Sequence, residues 1–184
     1  KHTLPSLKII FQVGYTPSTS MLCLVKPAYN MATSSHNSKH IVNETIPSAE
    51  GLRFALIVSR WNSEITNRLF EGAHQILQKQ QAKQIDRIDV PGSFELVYAS
   101  RVAMEKNYDA IIAIGNVIRG ETSHFDYVCQ GVTNGIQHLN AMGRVPVIFC
   151  VLTDDIIEQS RARSGGSLGN KGEEAAVAAI QIAH

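Results

Sequence analysis

The stretch VIRGETSHFDYV, residues 117–128, gathers more potential chemistry than any other part of the chain. His124 stands where a helix is expected to begin. An ordinary imidazole titrates at about pH 6.5, so it can both give and take a proton near neutrality. Just ahead of it, Gly120 permits a sharp turn. Glu121, Thr122 and Ser123 then open the helix, whose free N–H groups and positive dipole end favour an anion. The plainer reading of the same residues is a surface histidine at a helix start.

Three further segments carry residues of the right types. Arg60-Trp61-Asn62 holds the only tryptophan. Its indole could stack on a flat heterocycle or fold back over the core. VPGSFE, residues 90–95, sets a Pro-Gly turn before Ser93. That serine either caps a helix or leaves backbone N–H groups free for ligand carbonyls. RARSGGSLGNKG, residues 161–172, supplies two Arg, one Lys and four Gly. Arginine suits bidentate phosphate contact, although such a loop also serves as a plain surface connection. Ser93, His124 and Asp126 do not read as a hydrolytic triad. No G-x-S-x-G elbow is present, and His124 and Asp126, two apart on one helix, face different directions. Neither G-x-x-x-x-G-K-[ST] nor G-x-G-x-x-G occurs.

The elements that must position these residues are legible from periodicity. FALIVSR (54–60), IDRIDV (85–90), DAIIAIGNV (109–117) and VPVIFCVL (145–152) read as strands. Residues 63–80, 94–106, 123–142, 153–162 and 169–183 read as helices. Ser63 is the expected cap of the first, and Thr153 or Asp154 that of the fourth. Gly131 and Gly135 weaken the long third helix. Strands alternating with helices predict an α/β fold with a parallel sheet covered on both faces. Ligands in such sheets bind beyond the carboxyl ends of the strands, which is where the first three segments fall; residues 161–172 form a loop between the last two helices.

Composition narrows the classes further. The 184 residues suit one α/β domain plus a tail. A formal net charge of +1 gives no electrostatic case for nucleic acid or a membrane surface as partner. Cys23, Cys129 and Cys150 are odd in number and form no C-x-x-C pair, which argues against a disulfide framework or a zinc site. No apolar run reaches the roughly 18 residues of a membrane helix.

Residues 1–45 read as an extension and 46–184 as the domain. Residues 1–42 hold no Asp or Glu, and their charge comes from four Lys. Three readings compete for this segment: an organelle transit peptide, a flexible or non-native stretch upstream of a natural start at Met31, and an ordered arm.

Taken together, RWN, VPGSFE, GNVIRGETSHFDYV, VIFCVLT and GNKG resemble the lumazine synthase family in order and spacing, from about Gly51 to the end of the chain. The resemblance implies a flavodoxin-like three-layer α-β-α sandwich around a mainly four-stranded parallel sheet. It implies a transferase of riboflavin biosynthesis, which condenses 5-amino-6-(D-ribitylamino)uracil with 3,4-dihydroxy-2-butanone 4-phosphate. No metal or organic cofactor is implied. The implied partners are these small molecules and further copies of the chain, as a homopentamer or a shell of twelve pentamers whose sites lie between subunits. A riboflavin synthase is a further implied partner, and the cytoplasm the implied location unless the N-terminal segment directs import.

Roles carry over by position. Trp61 would stack on the uracil ring, with Asn62 beside it. Ser93, Phe94 and Glu95 would hold ribityl and ring polar groups, and Asn116, Val117 and Ile118 would line the pocket. Glu121 and Thr122 would meet the phosphate at the helix start, and His124 would move protons. Phe149 from a neighbouring subunit would complete the ring pocket. Arg163, seven residues before Asn170, would bind phosphate. One departure stands out: the family usually has Lys where this chain has Ser167. The competing reading is a non-catalytic lumazine- or flavin-binding, or shell-forming, relative. A flavodoxin-like electron carrier or response regulator also fits the strand order, but leaves a heterocycle-sized Trp61 pocket unexplained.

Overall fold

A computed structural model describes residues 46–184. The readings of residues 1–45 lie outside the described residues. The elements run β1 (Arg53–Ser59), α1 (Ser63–Lys79), β2 (Gln84–Val90), α2 (Leu96–Ala103), β3 (Ala110–Ile118), α3 (His124–Met142), β4 (Val147–Asp154), α4 (Ile157–Arg163), β5 (Ser164–Gly166), β6 (Gly169–Asn170) and α5 (Lys171–Ala183). The four long strands form one sheet in the order β2-β1-β3-β4, and every pair is parallel.

Alternation along β1 and β3 sorts the core into two layers. Phe54, Leu56 and Val58 join Ile112 and Ile114 on one face, under Ile65, Leu69 and Leu77 of α1 and Ala176 and Ile180 of α5. Ala55 and Ile57 join Ile111 and Ala113 on the other, under Leu96 of α2 and Val132 and Ile136 of α3. A sheet apolar on both faces needs helices on both. Each fully buried Leu or Ile contributes about 1.5–3 kcal/mol of transfer free energy. The α-β-α sandwich expected from the sequence is the fold observed.

Gly131 and Gly135 lie within a continuous α3 and serve as notches for α2 and the turn before it: a Cβ at Gly131 would sit 2.5 Å from Phe94 Cε2, and one at Gly135 2.6 Å from Val97 Cγ2.

Several local expectations are corrected. Ser63 does not cap α1. Asn62 stands at the cap position in the left-handed conformation, with φ 56°, and its carbonyl accepts from the N–H groups of Ile65 and Thr66. Thr153 and Asp154 do not cap α4 but end β4, because β3 runs on to Ile118 and pairs Val117 with Thr153 and Ile118 with Asp154. α2 starts at Leu96, since the carboxylate of Glu95 folds back onto the N–H of Gly92 at 2.9 Å and keeps residues 92–95 in a turn. The Gly-rich stretch after α4 is not all loop. Ser164–Gly166 and Gly169–Asn170 pair antiparallel, and Gly165 and Gly169 take the positive φ that the turn demands. Gly120 takes no such conformation.

Candidate active site

The sheet order sets β2 on one side of β1, and β3 and β4 on the other. The connection leaving β1 therefore runs to one side and that leaving β3 to the other, and the crevice so opened beyond the carboxyl ends of β1 and β3 is where open α/β sheets take ligands. A cavity of about 650 Å³ occupies that place, within the range of small-molecule sites. Trp61, Asn62, Ser93, Phe94, Glu95, Asn116, Val117, Ile118 and His124 line it. All of these are residues the sequence singled out.

The chain leaves β1 through Asn62, whose side chain tolerates the left-handed backbone better than most. The turn is tied down by Thr66, whose hydroxyl donates to the carbonyl of Ser59 at 2.8 Å. Trp61 is thrown outward and is 72% exposed, so it does not cover the core. From the floor, the Asn116 carbonyl accepts from Asn62 Nδ2 at 3.2 Å and from Ser93 Oγ at 3.5 Å. Three strand ends thus converge on one backbone oxygen.

His124 is the first residue of α3, and its N–H donates to Thr122 Oγ1 at 3.4 Å. Thr122 and Glu121 are exposed and do not line the cavity. Neither of the other triad candidates pairs with His124. Ser93 turns to Asn116, and Asp126 accepts from Arg119 Nη1 at 3.1 Å.

Arg119 is clamped. Its Nε donates to Asp155 at 2.7 Å, and its guanidinium lies 4.2 Å from the Phe125 ring centre. The hydrogen bond to Asp155, with Asp126 adding, raises its pKa above the ordinary arginine value. This fixes the turn that precedes His124.

Sequence reasoning missed Tyr127, Val128 and Gly92 as lining residues. Tyr127 had a signal, because it follows His124 by three positions and shares its helix face.

Phe149 and Arg163 lie elsewhere. They line a second groove of about 590 Å³ along β4 and α5, with Leu152, Asp154, Lys171 and Glu174. Phe149 is 42% exposed. The structure also separates the arginines of the 161–172 loop. Arg161 makes two 3.0 Å bonds to both carboxylate oxygens of Glu64, and that pairing lowers the Glu64 pKa. Arg163 instead donates to the Gln159 carbonyl at 3.3 Å and stands 3.6 Å from Asp154 Oδ1. Lys171 pairs with Glu174 at 2.8 Å. Among the described residues no cluster of His, Cys, Asp or Glu could hold a metal ion. No helix there is long and apolar enough to cross a membrane.

Fold and cavity together define an open-sheet α/β protein with a heterocycle-sized site at its topological switch point. Residues 51–184 match the family model described as 6,7-dimethyl-8-ribityllumazine synthase. The chain is 55% identical over 158 residues to the 6,7-dimethyl-8-ribityllumazine synthase of Christiangramia forsetii, covering 83% of this chain and 94% of that one. It is 52% identical over 157 residues to the protein of that name from Flavobacterium johnsoniae, covering 84% and 83%. The Porphyromonas gingivalis protein of that name is 49% identical over 156 residues, covering 83% and 97%. The chain belongs to the 6,7-dimethyl-8-ribityllumazine synthase family.

Proposed function

We propose that residues 46–184 form the catalytic domain of a transferase of riboflavin biosynthesis. It condenses 5-amino-6-(D-ribitylamino)uracil with 3,4-dihydroxy-2-butanone 4-phosphate to give 6,7-dimethyl-8-ribityllumazine. The observation that carries this reading is the cavity at the switch point, with Trp61 at its lip and His124 in its wall.

The ring amine attacks the ketone and loses water to form an imine. Phosphate is eliminated, and the ribityl-bearing nitrogen closes the second ring with loss of another water. Trp61 offers an aromatic plate for the pyrimidine. Asn62, Ser93, Phe94 and Glu95 hold its polar edge and ribityl chain, against Asn116, Val117 and Ile118. His124 carries protons between nitrogen, carbon and oxygen. Arg163 offers fixed positive charge to the phosphate, with Glu121 and Thr122 at the helix start. Holding two reactants in one geometry supplies much of the acceleration.

Phe149 and Arg163 sit in a groove of their own. Their separation from the Trp61 cavity supports a site completed between copies, in which one subunit lends these two residues to its neighbour. A ring of subunits such as a pentamer, alone or within a shell, satisfies that need. The cytoplasm is the proposed location, and a riboflavin synthase that consumes the product the proposed protein partner.

The test is to mix the purified protein with both substrates and follow lumazine absorbance against the uncatalysed reaction. Clear acceleration with matching phosphate release is expected. No acceleration by an assembled oligomer would favour a binding or shell-forming role.

A further inference from the structure

Three buried polar side chains and the half-buried Arg163 form a line from the floor of the Trp61 cavity to the second groove. Asn116 is 2% exposed and Ser160 fully buried, and Asp154 is buried at the end of β4. Asn116 Nδ2 donates to Ser160 Oγ at 2.8 Å, and more weakly to the Leu152 carbonyl at 3.4 Å. Ser160 Oγ donates to Asp154 Oδ2 at 2.7 Å. The other carboxylate oxygen, Oδ1, faces Arg163 Nη1 at 3.6 Å.

The direction of this line is forced. An ionised carboxylate only accepts, so the Ser160 hydroxyl must give its one proton to Asp154. Its lone pairs are then left to accept, which requires the amide nitrogen of Asn116 rather than the oxygen. The Leu152 carbonyl demands the same orientation. The amide oxygen of Asn116 is left buried without a hydrogen-bond partner. A buried orphan acceptor costs about 1–3 kcal/mol, so the orientation is held against a penalty rather than chosen by default. At the far end, Asp154 and the Gln159 carbonyl both engage Nη1 of Arg163. That leaves the remaining guanidinium donors for an anion.

We propose that Asp154 and Ser160 are positioning residues, with one carboxylate setting both the buried side chain of Asn116, whose backbone belongs to the floor of the subunit's own pocket, and the guanidinium of Arg163 offered to a neighbour. The inference rests on the reading of Asn116 as pocket floor and Arg163 as phosphate ligand.

Two substitutions cut the line at different points. Asp154→Asn keeps an acceptor for Ser160 but removes the charge facing Arg163. Ser160→Ala keeps the Asp154–Arg163 pair but strands Asn116. In assembled protein, Ser160→Ala should raise KM for the ribitylaminouracil about fivefold and leave KM for the butanone phosphate within about twofold. Asp154→Asn should do the reverse. A merely structural pair would not split the two constants. If Ser160→Ala does not assemble, Ser160→Cys adds only a slightly larger atom and keeps a weaker donor, and should show the same split at smaller amplitude. Both constants moving together, neither moving, or Asp154→Asn lowering KM for the butanone phosphate would each overturn the proposal. Arg163→Ala runs alongside. If it leaves KM for the butanone phosphate unchanged, the phosphate assignment itself fails. If it raises that constant while Asp154→Asn does not, only the positioning role fails.

Discussion

Asn62 and Asn116 meet across the carboxyl ends of β1 and β3, where Nδ2 of the first donates to the carbonyl of the second at 3.2 Å. The contact joins the turn that presents Trp61 to the strand that floors the cavity. Asn62 makes it from a left-handed backbone, with φ 56°. Asn62→Gly should lose the bond but keep the conformation, whereas Asn62→Ala should also pay about 1–2 kcal/mol for the left-handed backbone. Urea unfolding of the two variants checks this, with the Ala variant the less stable. Equal stability would mean that the turn carries no conformational demand.

Trp61 projects from the fold, so its loss should spare stability and strike binding. Trp61→Ala should raise KM for the ribitylaminouracil about tenfold, the scale of a lost aromatic stack, with an unchanged unfolding midpoint. Trp61→Phe should recover most of the affinity. An unfolding midpoint that falls with the affinity would return Trp61 to a packing role.

His124→Ala should slow turnover by about a hundredfold or less, because proton transfer is one contribution and positioning survives. Steady-state kinetics on the assembled variant measures this. Complete loss of activity would assign His124 a larger share than the account allows.

Cys150, on β4, is buried in the layer beneath α5, with its Sγ donating to the Lys171 carbonyl at 3.6 Å. Burial, with Glu174 adding, pushes its thiol up to about 12. It should resist alkylation at about pH 8 until the protein unfolds, as peptide mass mapping would show. A raised folded pKa contributes stability that is complete below the unfolded value. That contribution is lost as pH rises from there through the folded one. Cys150→Ala should therefore lessen the alkaline loss of stability above about pH 9. Part of the loss should persist, because burial and Asp86 also push Tyr108 up to about 12. An unchanged alkaline profile would contradict this.

The two central strands were legible because β1 and β3 are largely apolar runs buried on both faces. Thr153 and Asp154 misled because the same residue types cap helices, and only the long partner strand β3 draws them into the sheet. The hairpin around Gly165 and Gly169 left no trace in a pattern read from apolar spacing, since it holds almost no apolar residue. For the cavity, strand ends pointed to the place and the family motifs to most of the lining, but not to Gly92, Tyr127 and Val128. The link from Asp154 to Arg163 was not legible, because nine positions with a strand end and a helix between them carry no period. The resemblance alone assigned Phe149 to a neighbouring subunit and made no such assignment for Arg163; no local pattern placed either on a surface apart from the Trp61 cavity.

A site shared between copies has a direct consequence for mixed oligomers. The direct measurement is the rate of lumazine formation by oligomers reassembled from a mixture of Trp61→Ala and Arg163→Ala chains. Each variant alone should be impaired at every site. If the groove of one subunit completes the cavity of the next, some contacts in the mixture pair an intact cavity with an intact groove. The rate should then rise clearly above that of either parent. A mixture no faster than its parents, with subunit exchange confirmed by mass, would contradict a shared site.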